Sequence, residues 1–257
     1  MIDQHTYVII QARTGSTRMP GKVLLPFSEG QNILQIIIER TKTAIASGRI
    51  VVATSEKKED DAIVDIALAA GVKIFRGSEQ DVLGRFIAAA ELFHAHTIVR
   101  ICADNPFIMP SSITRLLEES QKHRADYISF GLRNGDPVIR SHWGFFTELV
   151  TTEALKKAAS LTGDPVYREH VTNYLYSNKD IFNVRLLELP ELFSDEKYFR
   201  FTLDTPEDFE LLSELYGEMK KIPGNILYDA QAIVKYVKKN HPALSEKMKK
   251  VIQANEK

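Results

Sequence analysis

The stretch Tyr7–Lys22, YVIIQARTGSTRMPGK, joins a short β-rich run to a loop with three cations, two glycines and three hydroxyl side chains. Tyr7–Gln11 is predicted to be a strand, because aromatic and β-branched residues dominate it. Glycines allow backbone N–H groups to approach an oxyanion, while Arg and Lys supply positive charge. This composition favours phosphate binding, with a surface loop of solvated arginines as the alternative.

The loop differs from the common glycine-rich phosphate motifs. Five residues separate Gly15 from Gly21, where a Walker A loop has four, and Val23 follows Lys22 in place of Ser or Thr. The spacing G-x-G-x-x-G of a dinucleotide loop is not found here either. The phosphate hypothesis therefore depends on the mixture of residue types.

Strands and helices alternate through the first half of the chain. This order predicts an α/β fold with a mostly parallel sheet flanked by helices, because right-handed crossovers join parallel strands. In such open sheets, ligands bind beyond the carboxyl ends of the strands. After Tyr7–Gln11, the predicted strands are Ile50–Thr54, Lys73–Phe75, Thr97–Ile101 and Tyr127–Phe130. The predicted helices are Asn32–Ala46, Asp60–Ala70, Asp81–Phe93 and Pro110–His123.

The second half has a less regular pattern. We expect one domain over residues 1–257, with a less regular portion at about 131–200 and a helical tail at about 228–257. Helices are predicted at Thr152–Ser160 and Tyr167–Ser177, from Pro206 onward, and from Tyr228 onward. Extended segments are predicted at Gly144–Val150, Asn183–Glu188 and Arg200–Leu203.

Composition excludes several classes of function. The formal charge of −1 over 257 residues gives no general affinity for polyanions, so nucleic acid is not an expected partner. No apolar run is long enough to span a membrane, and no signal peptide is recognisable. The single cysteine, Cys102, forms no internal disulfide and is interpreted as a core residue of a strand. We therefore expect a cytoplasmic protein.

Two aspartates follow predicted extended segments. Asp104 comes directly after Arg100–Ala103, and Asp204 after Arg200–Leu203. Mg²⁺ binds one or two protein carboxylates together with substrate phosphates, so two aspartates at one edge of the sheet would suit it. A turn at the Asp-Asn-Pro sequence is the alternative for Asp104. Thr205 already fills the N-cap position of the following helix, which leaves the Asp204 carboxylate free for another role.

The loop sequence QARTGSTRMPGKVL resembles the signature of the cytidylyltransferases that activate 3-deoxy-manno-octulosonate, N-acylneuraminate and related acids. The resemblance is closest to the spore coat polysaccharide (SpsF-like) type. It implies a Rossmann-like nucleotidyltransferase fold of the kind also seen in GT-A enzymes. Seven positions match in register: Gln11, Ala12, Arg13, Ser16, Arg18, Pro20 and Lys22.

By this resemblance, the loop wraps the triphosphate of CTP, and Arg18, Lys22 and Asp104 are the expected catalytic residues. Asp104 and Asp204 match the metal ligands of the family and are expected to bind Mg²⁺. The expected acceptor-binding residues are Glu148, Arg168 and His170. The expected nucleotide-binding residues are Gln11, Ala12, Arg13, Ser16, Arg18, Lys22, Ala53, Thr54, Ser55, Arg85 and Arg100.

Several of these assignments have simpler alternatives. The residues at 53–55 could be ordinary strand-end polar positions, and Arg85 and Arg168 could be solvated helix residues. One position departs from the resemblance, because His142 stands two residues before Gly144, where the family usually has proline.

The resemblance implies transfer of CMP from CTP to an acidic sugar of the nonulosonate kind, with release of pyrophosphate, in surface polysaccharide or glycan biosynthesis. A GT-A glycosyltransferase is one alternative, although such enzymes usually carry Asp-x-Asp and this chain has none. A cytidylyltransferase for a phosphonate or another non-sugar acid is the second. A non-catalytic binding module is the third. A homodimer is also expected, since dimers are common in the family.

Overall fold

The protein is described by a computed structural model over residues 3–193 and 199–255. Positions 194–198 of the predicted less regular portion, and 256–257 of the predicted helical tail, lie outside the described residues. The strands are β1 (Thr6–Gln11), β2 (Pro26–Ser28), β3 (Gln31–Asn32), β4 (Ile50–Ser55), β5 (Lys73–Gly77), β6 (Thr97–Cys102), β7 (Tyr127–Gly131), β8 (Glu148–Thr151) and β9 (Val184–Glu188). The α-helices are α1 (Ile33–Lys42), α2 (Asp61–Ala69), α3 (Val82–Leu92), α4 (Pro110–Lys122), α5 (Thr152–Leu161), α6 (Pro165–Glu169), α7 (Asn173–Ser177), α8 (Pro206–Lys220), α9 (Ala230–Asn240) and α10 (Pro242–Asn255).

The described part of the chain contains one seven-stranded sheet and one small hairpin. The strand order in the sheet is β5-β4-β1-β6-β8-β7-β9, and β2 pairs with β3 in the hairpin. β8 runs antiparallel to both of its neighbours, while every other pairing in the sheet is parallel. The predicted α/β fold with a mostly parallel sheet is therefore confirmed.

Helices cover both faces of this sheet, which explains why its strands are apolar on both sides. In β1, Val8 and Ile10 pack into one apolar cluster and Ile9 into the other, because successive side chains point to opposite faces. The first cluster includes apolar residues of α1, α2, α4, α8 and α9, and the second includes those of α3, α5 and α7. Burial on both faces fixes the register of the strands and hence the relative positions of their carboxyl ends.

The start of α8 agrees with the prediction from the Asp-Thr-Pro-Glu-Asp sequence. Thr205 is the N-cap and Pro206 occupies the first turn. The Thr205 side chain accepts a hydrogen bond from the backbone N–H of Asp208, and the Asp208 carboxylate accepts one from the backbone N–H of Thr205. This capping box satisfies two backbone donors at the helix end. The Asp204 carboxylate takes no part in it.

The predicted helix Asn32–Ala46 is shorter than expected, since α1 ends at Lys42, and three predicted elements that border the site are also wrong in their extent. Arg200–Leu203 is not a strand of the sheet: it is irregular, and backbone hydrogen bonds tie it to His142 and Asp104. The predicted strand Gly144–Val150 is reduced to β8, because the backbone turns sharply at Gly144. The predicted helix Tyr167–Ser177 is interrupted at residues 170–172 and forms α6 and α7.

Gly144 has a conformation and an environment that favour glycine. Its φ is +63°, and a Cβ atom added there would lie 2.6 Å from the carbonyl oxygen of Phe201. The neighbour is backbone, so it cannot move aside as a flexible side chain can. The irregular segment that leads to Asp204 therefore lies directly against Gly144.

We expect Gly144→Ala to lower the free energy of unfolding by about 3 kcal/mol, because positive φ and backbone overlap both add strain. Urea denaturation followed by circular dichroism measures this change. Gly135→Ala is the matched control, since Gly135 has a φ of +84° but open space around it. Equal losses in the two variants would show that the contact with Phe201 contributes nothing.

Candidate active site

The loop after β1 is held in place by the buried carboxylate of Asp60, which lies in the turn between β4 and α2. The backbone N–H and the hydroxyl of Thr14 donate to Asp60 at 2.8 and 2.6 Å. The backbone N–H of Gly21 donates to the Thr14 carbonyl, and the φ of +70° at Gly21 closes the loop. A short 3₁₀ turn then begins at Lys22. These contacts aim the cationic side chains of the loop toward the carboxyl ends of β1 and β6.

Lys22 lies where three distant segments of the chain meet. Lys22 is only 8% exposed, and its ammonium donates a hydrogen bond to the backbone carbonyl of Leu203. The same Nζ lies 3.8 Å from Asp104 Oδ2 and 3.8 Å from Asp204 Oδ1. The backbone N–H of Leu203 donates to the carbonyl of Asp104, which ties these two segments directly. The two aspartates and the loop therefore converge on one point, as expected, although Asp204 follows an irregular segment and not a strand.

Three cations surround the Asp204 carboxylate. Arg18 donates to its Oδ1 and Arg200 to its Oδ2, both at 2.8 Å, and Lys22 is the third. Arg200 is buried and also binds Asp208 through two hydrogen bonds. Arg18 differs because 62% of its side chain is exposed. The Asp204 carboxylate is thus fixed by buried groups on one side and reached by a solvent-exposed cation on the other.

Asp104 is the more accessible of the two carboxylates, with 34% of its side chain exposed. Burial of the group raises its pKa, the nearby Lys22 ammonium opposes this, and the second carboxylate of Asp204 raises the pKa further. A cation between the two aspartates would favour the ionised form.

The two aspartates fit a hard divalent cation that also contacts a substrate. Both present oxygen donors next to the same ammonium, and Mg²⁺ commonly takes one or two carboxylates and completes its shell with phosphate oxygens and water. In the described part of the chain, no group of three or more His, Cys, Asp or Glu side chains is arranged to hold a metal. The site therefore suits a metal that arrives with a phosphorylated ligand better than a permanent structural ion.

Behind this site lies a buried ion pair between β6 and β8. Arg100 donates to Glu148 Oε1 at 2.6 Å and to Gln11 Oε1 at 3.1 Å. The hydroxyls of Tyr127 and Thr172 also donate to the Glu148 carboxylate, which is 0% exposed. Because Glu148 is fully covered, it lies beneath the surface that a ligand could contact. The pair holds Arg100 and Gln11 in fixed orientations.

The predicted nucleotide-binding residues on β4 and α3 are buried. Ala53 is fully covered, and the hydroxyls of Thr54 and Ser55 donate to the Asp60 carboxylate. Arg85 is 1% exposed and donates to the carbonyl of Ser78. Burial and the nearby Arg13 lower the pKa of Arg85 to about 10. Ala53, Thr54 and Ser55 support the loop from behind, and contact of these residues and of Arg85 with a nucleotide stays a prediction.

The other predicted contacts lie around the rim of the site. Arg13 donates to the carbonyl of Glu79 and to the Glu169 carboxylate, each at 3.0 Å. Arg168 donates to a backbone carbonyl of α5 and lies 3.5 Å from Asp81, outside both cavities described below. Ser16 and His170 do line a cavity. Arg13 and Arg168 thus connect α6 to the loop after β1 and to the N-terminal end of α3.

Two adjoining cavities open at this edge of the sheet. The one lined by residues of the loop after β1, here called the loop cavity, has a volume of about 290 Å³. The other, here called the distal cavity, has about 440 Å³ and is lined mainly by residues from positions 138–146 and 170–176. The residues that line both are Arg18, Arg100, Cys102, Asp104, His170 and Asp204. The carboxylate pair therefore lies at the junction, where a group could pass from a ligand in one cavity to a ligand in the other.

Cys102 is a correction to the sequence analysis. It is partly exposed and lines both cavities, although it was expected to be a core residue. Burial raises the pKa of its thiol to about 12, so the thiol stays protonated at neutral pH. It ends β6 on the same edge as Asp104.

Sequence reasoning missed the residues that shape the distal cavity and support the loop. The most prominent are Asp60, Asn105, Arg140, Tyr176 and Arg200. His142, noted only as a departure from the family, also lines the cavity. Burial and the Arg200 guanidinium, which donates to its Nδ1, lower the pKa of His142. None of these positions forms a recognisable motif, because their roles depend on long-range pairing.

A family model described as cytidylyltransferase matches residues 7–250 of the chain. The chain belongs to the cytidylyltransferase family. The resemblance inferred from the loop sequence is thereby confirmed, and the glycosyltransferase alternative loses its support. The protein is therefore a nucleotidyltransferase, and solved nucleotidyltransferases share its Rossmann-like fold.

Individual relatives of this cytidylyltransferase match it over nearly their full length. An uncharacterized protein of Methanocaldococcus jannaschii is 41% identical over 232 residues, which is 90% of each chain. The spore coat polysaccharide biosynthesis protein SpsF of Bacillus subtilis is 31% identical over 93% of this chain and 96% of its own. A solved cytidylyltransferase from Leptospira borgpetersenii superimposes with a TM-score of 0.78 at 29% identity, covering 94% of this chain and 97% of the other.

The support of the loop by Asp60 leads to a pH-dependent prediction. Burial raises the pKa of Asp60, but hydrogen bonds from Ser55 and Thr14 outweigh it and hold the pKa below the ordinary value of 3.8. A lowered pKa in the folded state contributes stability above the unfolded pKa, and this contribution is lost as the pH falls through the folded pKa. We expect Asp60→Asn to lower the free energy of unfolding by about 3 kcal/mol at pH 7.

The difference in unfolding free energy between wild type and Asp60→Asn should narrow below about pH 4, because the carboxyl then becomes protonated in the unfolded chain and, at still lower pH, in the folded protein. Urea denaturation at several pH values measures it. Asp61→Asn is the control, because Asp61 is half exposed and pairs only at the surface with Arg76. A difference that stays constant down to pH 2 would contradict the role of the ionised carboxylate.

Proposed function

We propose that this protein transfers CMP from CTP to an acidic sugar-like acceptor, with Mg²⁺ as cofactor and pyrophosphate as the second product. The observation that carries this proposal is the convergence of Arg18, Lys22, Asp104 and Asp204 at the junction of two cavities. Family membership supports the cytidylyl chemistry, and the loop cavity has the cations that a triphosphate requires.

In the proposed reaction, an acceptor hydroxyl oxygen attacks the α-phosphorus of CTP. A new P–O bond forms, the bond to the bridging oxygen of pyrophosphate breaks, and the hydroxyl proton leaves to solvent. Such transfers depend mainly on positioning and charge neutralisation. Arg13, Arg18 and Lys22 bind the triphosphate and stabilise the negative charge of the departing pyrophosphate. CTP lies in the loop cavity and the acceptor in the distal cavity.

Asp104 and Asp204 hold the metal in this proposal. A bound Mg²⁺ neutralises phosphate charge and lowers the pKa of an attacking hydroxyl. The protein contributes the two carboxylates, with Lys22 fixed between them. Arg18 releases Asp204 as it turns to the phosphates, which its exposed position allows.

The Bacillus subtilis relative is named for polysaccharide biosynthesis, which supports a sugar as the acceptor, and the family resemblance supports an acidic one. A non-sugar acid such as a phosphonate is the second candidate, since the distal cavity of about 440 Å³ also accommodates smaller acids.

A homodimer and a cytoplasmic location stay predictions from the sequence. Light scattering on the purified protein tests the first, with a mass of about twice 29.1 kDa expected. Among the described residues, no helix combines the length and apolarity needed to cross a membrane.

We expect Lys22→Ala and Asp104→Ala each to reduce CTP-dependent pyrophosphate release by at least about 100-fold, because each removes a charge at the reacting phosphate. The assay contains CTP, MgCl₂ and, in separate reactions, 3-deoxy-manno-octulosonate and N-acetylneuraminate. Circular dichroism and the melting temperature check that the variants remain folded.

Asp65→Ala is the control, since Asp65 is exposed on α2 away from both cavities. Treatment with EDTA should abolish wild-type activity, and added MgCl₂ or MnCl₂ should restore it. Near-normal turnover by a folded Lys22→Ala or Asp104→Ala variant would overturn the assignment of the site.

A further inference from the structure

The distal cavity has three arginines in its lining, and two of them are committed elsewhere. Arg18 pairs with Asp204 and Arg100 with Glu148. Both also line the loop cavity, so their charges face the side on which the triphosphate is proposed to bind. The third, Arg140, lines the distal cavity but not the loop cavity. Its charge is therefore directed to whatever occupies the distal cavity.

The backbone at Arg140 is well fixed, although its side chain is exposed. It ends the 3₁₀ turn Val138–Arg140, in which Val138 is 4% exposed. The backbone N–H of Arg140 donates to the carbonyl of Pro137, and the Ser141 hydroxyl donates to the carbonyl of Val138. The base of the side chain therefore has a defined position, while the guanidinium can adjust to a ligand.

Among the described residues, the guanidinium of Arg140 has a single, weak ion pair, which it makes with Asp136. Their closest N–O distance is 3.5 Å, and the two side chains are 56% and 38% exposed. This distance is too long for a good hydrogen bond, and exposed pairs of this kind are largely screened by water. An anion in the cavity can thus displace Asp136 without leaving a buried charge unpaired.

The field of Arg140 reaches across the distal cavity. Burial and the Glu148 carboxylate raise the pKa of Tyr176 to about 12, and Arg100 and Arg140 oppose this rise. Tyr176 lines the same cavity from α7. The positive charge therefore acts on the interior of the cavity and not only on the solvent outside it.

We propose that Arg140 is the specificity residue that binds the carboxylate of the acceptor. The inference rests on the proposed function and deepens it. A guanidinium pairs with a carboxylate through two parallel hydrogen bonds, which sets orientation as well as affinity. Because Arg140 is confined to the distal cavity, it holds the acceptor's negative charge away from the triphosphate. Ile139 and Phe146 offer apolar contact to the carbon chain beside it.

Steady-state kinetics of Arg140→Gln test this proposal, with whichever of 3-deoxy-manno-octulosonate and N-acetylneuraminate the wild type uses better. We expect the KM for the acid to rise about 10- to 100-fold, as for the loss of a charged hydrogen-bonded pair. The KM for CTP and kcat should change by less than about 3-fold. The wild type should prefer the acid over its methyl ester by a similar factor, and the variant should lose this preference.

Arg133→Gln is the matched control. Arg133 lies in the same segment, is 72% exposed and contacts Glu191 at 3.3 Å, but it lines a separate cavity near β9. Asp136→Asn separates ligand binding from a structural role. If Arg140 only stabilises its turn through Asp136, Asp136→Asn will reproduce the defect of Arg140→Gln. If Arg140 binds the acceptor, Asp136→Asn will leave the KM unchanged or lower it.

An unchanged KM for the acid in Arg140→Gln, with wild-type turnover intact, would overturn the role of Arg140 and leave the proposed function standing. Equal defects in Arg140→Gln and Asp136→Asn would do the same. If the wild type releases no pyrophosphate with either acid, the proposed acceptor class is contradicted, and the inference about Arg140 fails with it.

Discussion

The buried ammonium of Lys22 constrains the edge of the sheet at which the two cavities open. Lys22 is only 8% exposed, and its charge must be paired, since an isolated ammonium in the interior is too costly. Its partners are Asp104, which follows β6, and Asp204, in the segment before α8. These two aspartates lie 100 residues apart in the sequence. Pairing the Lys22 ammonium therefore brings the loop together with the carboxylates of Asp104 and Asp204, at the junction of the two cavities.

A second set of buried charges supports the first from behind. Glu148 compensates Arg100 between β6 and β8, and Asp60 accepts hydrogen bonds from the loop and from the end of β4. Buried carboxylates with complete sets of donors hold their neighbours in one geometry, and removing one partner is strongly destabilising. The residues proposed to contact a ligand therefore depend on buried residues beneath them. This arrangement explains why predicted site positions such as Thr54 and Glu148 lie beneath the surface.

The sequence predicted the site where a local rule was sufficient. Parallel strands end at the same edge of a sheet, so the loop after β1 and Asp104 after β6 were expected to meet there. Asp204 was predicted to join them after a strand, and it does so from an irregular segment that Gly144 and the backbone of Asp104 hold in place. Alternation of polar and apolar residues cannot reveal such a segment, because its hydrogen bonds go to distant backbone groups. Asp60 and Arg140 were missed for the same reason: each depends on contacts that no motif specifies.

The cations at this edge differ in how easily they can change partner. Lys22 and Arg200 are buried, so neither can leave Asp204 without uncovering a charge in the interior. Arg18 is mostly exposed, and water screens its pair with Asp204 so that its loss costs at most about 1 kcal/mol. Arg18 can therefore exchange the carboxylate for an incoming anion while the buried cations keep Asp204 in position. The difference in burial divides the cations into those that fix the carboxylates and one that is able to move to a ligand.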